Sequence, residues 1–149
     1  MIRPKNKIKE YAFLVFLTFI FSYLLNFVWE SFHAVFLYEG HNINAAKFVL
    51  MIGYAAIADS LLILGMYGIT AILWKNFLWI RQMNKKQNYA FITAGLIMAA
   101  IIEYRGVFLL QKWSYSLLMP TIFGIGLSPL LQLSITGILA VRAARGLLY

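Results

Sequence analysis

The sequence predicts an all-α fold: an integral membrane four-helix bundle with both termini in the cytoplasm. Three observations predict it. The 149-residue chain is 62% apolar and 12% charged, whereas a soluble domain is about half apolar and about a quarter charged. Its apolar residues gather into four runs, each near the roughly twenty residues that span a bilayer. Its basic residues alternate between connections. Ten lie in the N-terminal segment (Arg3, Lys5, Lys7, Lys9), the second connection (Lys75, Arg81, Lys85, Lys86) and the tail (Arg142, Arg145), against Lys47 and Lys112 on the opposite side. Lys and Arg mark the cytoplasmic side of membrane proteins, so the chain is expected to be a multi-pass membrane protein with that side in the cytoplasm.

The whole chain, 1–149, reads as one transmembrane domain with helices at about 11–32, 48–74, 90–110 and 117–141. The start, "MIRPKNKIKE" before an apolar run, resembles a signal peptide. No small-x-small cleavage site follows, and the run continues into Asn26 and "FVWE", so the first helix is expected to be retained. The second run is long enough to tilt. In the fourth, Pro120 and Pro129 remove helical hydrogen bonds and Gly124 and Gly126 add pliancy. This predicts either a kinked packing helix or a kink that opens a pocket beside Ser128 and Gln132. Aromatic residues, among them Tyr38, Trp74, Trp79, Trp113 and Tyr115, fall at the expected interfaces. The net charge of +8 sits where anionic headgroups lie. Membrane lipids are therefore expected partners and nucleic acid is not. The absence of cysteine excludes disulfide scaffolds, thiolate metal sites and thiol redox chemistry.

Each helix carries polar residues that an apolar span does not need. Ser22, Asn26, Glu30 and His33 follow one another at spacings of four, four and three, which puts them on one face of the first helix. At 1.5 Å per helical residue, Asp59 lies about 16 Å, and Glu103 about 10 Å, below the outer ends of their helices. Ser128, Gln132 and Thr136 continue a stripe from Pro120 and Gly124 on the fourth. Three of the five acids thus fall inside the bilayer, mostly in its outer half. A charged side chain at the bilayer centre costs about 3 kcal/mol or more, so each carboxyl must be protonated, paired or hydrated. Arg105 is the one cation at comparable depth, but two residues beyond Glu103 it points nearly the opposite way. It is expected to pair with another helix or to reach outward. Asn26, Ser22, Ser128 and Thr136 could equally be helix–helix hydrogen bonds, and His33 a capping residue. Helix contacts have no need of a carboxyl, which sets Asp59 and Glu103 apart.

Four stretches, "NFVWE", "YAAIADS", "EY" in the third helix and "WSYSLLMPTIFGIGLSPLLQL", together resemble a bacterial family of small four-span membrane proteins. The resemblance covers most of the chain and implies the same topology and the same polar positions; it supplies no reaction. Relatives of that kind are expected to carry a His-Cys pair before the second-helix acid. Tyr54 to Ala58 offers neither, which counts against metal or thiol chemistry there.

The function expected from these residues is an intramembrane polar pocket in the outer half of the bilayer. It would bind an apolar small molecule, lipid or isoprenoid-like, or process it by acid–base chemistry. Glu30, His33, Asp59 and Glu103 are the candidate catalytic residues, since acid–base work needs groups that hold protons differently. Asn26, Trp29, Arg105, Trp113, Tyr115, Ser128 and Gln132 are the candidate ligand-binding residues, with the aromatic rings able to stack on a positive charge. The alternative is a proton-coupled small-molecule transporter using Glu103 or Asp59, for which a second copy of the chain is an expected partner. Glu30 and His33 also form an E-x-x-H pair, but a di-iron bundle needs two such motifs. A single-metal site, with Asp59 and Glu103 completing an oxygen-rich shell, stays open, but no metal and no cofactor is expected. A partner subunit without a ligand, docking through Gly95 and Ala99, stays open.

Overall fold

The computed structural model describes residues 7–40 and 43–148; Arg3, Lys5 and His41 lie outside them. Four helices, α1 (Lys7–Phe32), α2 (Ala45–Leu73), α3 (Lys85–Tyr104) and α4 (Leu127–Gly146), form a bundle. With the wider π-helical turns His33–Leu37 and Arg105–Leu109 that extend α1 and α3, all four are long and apolar enough to cross a membrane. α1 packs against α2 and α4, and α3 against α4, while α2 and α3 touch sparsely. The bundle is therefore closed on three sides and loose on the fourth.

Polarity within the helices is reversed from that of a soluble bundle. The buried face of α1 is Glu10, Leu14, Thr18, Ser22 and Asn26, one residue per turn, while Phe16, Leu24, Val28 and Phe32 are more than half exposed. Small and polar residues let helices approach and bond, while large apolar ones face outward. Gly95 of α3 shows how close that approach is. A methyl group there would lie 2.6 Å from Ser134 Oγ of α4, so Gly95 serves a contact inside the bundle.

The two ends of the bundle differ. At the basic end, the connection between α2 and α3 folds back through a 3₁₀ turn, Trp79–Arg81, before Asn84 and Gln87 cap α3 reciprocally. Trp79 is fully buried there, with its ring 5.5 Å from that of Tyr67 and 5.7 Å from that of Phe91. It is a core residue, where the sequence suggested an interfacial anchor. At the loop end, the segment after α1 and the one before α4 are clasped by a bridge between Tyr38 and Tyr115 and by bonds from Glu39 N to Ser114 O (3.0 Å) and Ser116 N to Leu37 O (2.9 Å).

The expected fourth helix over 117–141 is shifted. Residues 117–126 are a turn and a two-residue hairpin, β1 (Thr121–Ile122) with β2 (Ile125–Gly126), and α4 begins only at Leu127. The cause is local. Pro120, Gly124 and Gly126 disfavour helix, whereas Pro129 sits in the first turn, where its missing N–H has no partner to lose. Pro129 therefore starts a helix and does not kink one, and Pro120 and Gly124 do not belong to a helical stripe.

Candidate functional site

A cavity of about 390 Å³ lies at the loop end between α2 and α3, within the usual size of a small-molecule site. Its walls are mostly apolar: Met51, Ile52, Ala55 and Ala58 from α2, Ala99 and Ile102 from α3, Leu133 from α4. Four polar side chains from four helices converge on it: Glu30 (α1), Asp59 (α2), Glu103 (α3) and Gln132 (α4). Ala55, Ala58 and Ala99 leave the space that larger side chains would fill, and the sparse α2–α3 contact makes this the open side of the bundle.

Gln132 is the hub. Its Nε2 lies 2.6 Å from Glu30 Oε1, 2.7 Å from Asp59 Oδ2 and 3.0 Å from Asn26 Oδ1. An amide nitrogen carries two hydrogens, so three oxygens compete for two donors. The Glu30 and Asp59 carboxyls thus meet at one amide nitrogen. Thr136 donates to Asn26 Oδ1 (3.1 Å) and backs the hub on α4.

Glu103 is held differently. It is 6% exposed, and its carboxylate accepts from three neutral donors: Tyr38 Oη (3.2 and 3.3 Å to the two oxygens), Trp113 Nε1 (3.2 Å) and Tyr115 Oη. Burial first, and then the neighbouring Glu103, push both phenols above their ordinary range, so they keep their protons and act as donors. Trp113 reaches Glu103 by lying across Gly106, in the π-helical turn two residues beyond Tyr104; any β-carbon at 106 would overlap the indole. The clasped loops are thus tied from below to a cavity wall.

Beside the hub, His33 is 2% exposed. Trp29 Nε1, which can only donate, lies 2.7 Å from His33 Nε2, and Ser128 Oγ lies 2.7 Å from the same nitrogen. Nε2 therefore accepts, and the ring hydrogen is on Nδ1. Among the described residues that Nδ1 has no hydrogen-bond partner; its ion-pair neighbour is Glu30 Oε1 at 3.7 Å.

Compared with protein-family models, with curated proteins and with solved structures, the chain matches none. What the site does must come from its own chemistry.

Of the residues singled out from the sequence, Glu30, Asp59, Glu103, Gln132 and Trp113 line the cavity. Asn26, Trp29, His33, Tyr115 and Ser128 bond to those residues or to one another just behind it. Arg105 is not brought in. It is exposed, and it does not line the cavity. Tyr38 was missed: it lies 65 residues from the acid it binds, and no spacing signals the contact. Among the described residues, no three His, Asp or Glu side chains converge as metal ligands would.

Proposed function

We propose that this chain is a multi-pass protein of the bacterial cytoplasmic membrane, with its termini in the cytoplasm, whose cavity in the outer half of the bilayer takes an apolar small molecule, lipid or isoprenoid-like. The observation that carries this reading is the cavity itself: apolar walls that open between two loosely packed helices and end in Glu30, Asp59, Glu103 and Gln132. Such a shape suits a molecule that enters sideways from the lipid and leads with a polar group. The clasped loops cover the aqueous end. Lys7, Lys9, Lys75, Arg81, Lys85, Lys86, Arg142 and Arg145 support the orientation, since all gather at the opposite end.

Glu30 and Asp59, brought together on Gln132 Nε2, give the site acid–base capacity. One carboxyl, when protonated, can deliver its proton to the ligand's polar group while the other, steadied by Gln132, receives one back. A specific observation favours the second reading, a proton-coupled transporter. Thr18 and Ser22 lie on the buried face of α1 between Asn26 and the basic end, and their hydroxyls have no partner among the described residues. Buried polar groups of this kind are where ordered water sits, and water there would extend a polar thread from the acids toward the cytoplasm.

Mass spectrometry of apolar compounds extracted from gently purified protein tests the first reading. A compound present with the native chain and lost with Asp59→Asn is expected; identical lipid profiles from the two would overturn it. Proton-gradient-driven flux that Glu103→Gln abolishes would select the transporter.

A further inference from the structure

We propose that the molecule accepted by this cavity is a lipophilic organic cation, an alkylammonium whose positive head lies among Glu30, Asp59 and Glu103 and whose apolar body leads out between α2 and α3. The proposal rests on the cavity being a small-molecule site and names the ligand's charge. Three features on separate helices carry it.

The first is sign. Three carboxyls face one apolar cavity, and among the described residues none of them is ion-paired with a lysine or arginine. Charge inside a membrane is tolerated only when compensated, so a ligand with a cationic head is the one these carboxyls favour. The second is the hydrogen count at Gln132, where two amide hydrogens face Asn26 Oδ1, Glu30 Oε1 and Asp59 Oδ2. The third is His33 Nδ1, a buried donor without a hydrogen-bond partner among the described residues, 3.7 Å from Glu30 Oε1. The last two resolve together. When Glu30 turns to accept from His33 Nδ1–H, Gln132 keeps one hydrogen for Asn26 and one for Asp59. Both carboxyls can then be ionised opposite the ammonium, and any proton that either held leaves to water as the ammonium charge takes its place.

The shape selects an organic cation over a metal ion. The carboxyls do not converge as metal ligands; they are spread around a space of about 390 Å³ with the Trp113 indole on its wall. An aromatic ring beside carboxylates recognises an ammonium head that has little water to lose.

The test is equilibrium binding of radiolabelled decyltrimethylammonium to the purified full chain in nanodiscs, with empty nanodiscs subtracted. Competitors are the uncharged carbon isostere 2,2-dimethyldodecane and the anion decanoate. Saturable binding of one cation per chain is expected, with the isostere at least tenfold weaker and decanoate inert. Asp59→Asn and Glu103→Gln should each weaken binding at least tenfold. Glu39→Gln, an acid outside the cavity, should leave it unchanged. Ala55→Phe, which fills the cavity without touching its charge, should abolish binding even if the acid variants fold poorly. If the isostere or decanoate competes as well as the cation, and Ala55→Phe blocks it, the charge assignment falls and the cavity stands as a small-molecule site. If neither charged nor neutral probe saturates, the small-molecule reading falls too.

Discussion

Glu10 and Glu103 are both acids on long apolar helices, and both are nearly buried, at 7% and 6% exposure. Glu10, at the basic end, is ion-paired with Arg81 at 3.2 Å. Glu103, at the loop end, receives only the neutral hydrogens of Tyr38, Trp113 and Tyr115. One acid has its counter-charge and ties the α2–α3 connection to α1. The other is solvated by donors but left uncompensated, next to a cavity and to two more acids. Burial of an acid therefore says little by itself; what separates structure from function is whether the fold supplies the opposite charge. The two loop tryptophans repeat the contrast. Trp79 Nε1 donates to the Tyr67 carbonyl (3.3 Å) within a packed core, and Trp113 Nε1 donates to the Glu103 carboxylate.

The contrast can be broken at either end. The largest effect on folding is expected from Trp79→Ala, which empties the centre of the basic-end core. By the usual cost of large-to-small core changes it should destabilise by about 3–5 kcal/mol, read as a lower midpoint in denaturant titration, with ligand retention per folded molecule unchanged. Glu103→Gln should do the reverse. It keeps the shape and an acceptor for the tyrosines, so the midpoint should move little, while co-purifying ligand drops at least tenfold. Glu10→Gln sharpens the comparison. Arg81 is 38% exposed and solvated without its partner, so the loss should stay near 1 kcal/mol or below, with no change in bound ligand. If Glu10→Gln removed the ligand as Glu103→Gln does, the two acids would not differ as argued.

The four long apolar helices were legible because they are written in composition, which acts over whole helices. Four apolar runs do not depend on any one contact. The acids were legible for a related reason: Glu30, Asp59 and Glu103 stand out because an apolar span has no use for them. What the sequence did not carry was pairing over distance. Tyr38, Trp113 and Tyr115 read as interfacial aromatics because Tyr and Trp suit interfaces whatever their hydrogen atoms do. Only the closing of two loops, 38 against 115, aims them at Glu103. The start of α4 was misplaced because mean hydropathy continues unbroken through 117–126, while proline and glycine chemistry decides where helix begins. Arg105 was legible in part: two residues beyond Glu103 it is turned about 200° around the helix axis, and of the two outcomes expected it reaches outward and ends exposed, off the cavity where a ligand-binding role was expected.

An intermediate effect, below that of Glu103→Gln on the ligand, is expected at Gly106, and it tests how much of the difference depends on the indole. Any β-carbon there overlaps the Trp113 ring, so Gly106→Ala must push the ring off its seat. Overpacking of this kind costs about 1–3 kcal/mol, and Glu103 keeps its two tyrosines. Ligand retention should fall a few-fold, less than with Glu103→Gln, and the fluorescence of Trp113, isolated by Trp→Phe changes at 29, 74 and 79, should shift to longer wavelength as the ring meets water.

Arg105→Gln is expected to do least. The side chain is exposed and lies off the cavity, so stability should change by no more than about 0.5 kcal/mol and bound ligand should be retained. This small effect is informative because Arg105 is the nearest arginine in sequence to Glu103. Were the guanidinium compensating that acid in the membrane, its removal would lower ligand retention as much as Glu103→Gln does, and Glu103 would join Glu10 as a paired structural acid. Retention unchanged in Arg105→Gln and lost in Glu103→Gln is the outcome that leaves the positive charge to be brought by the ligand.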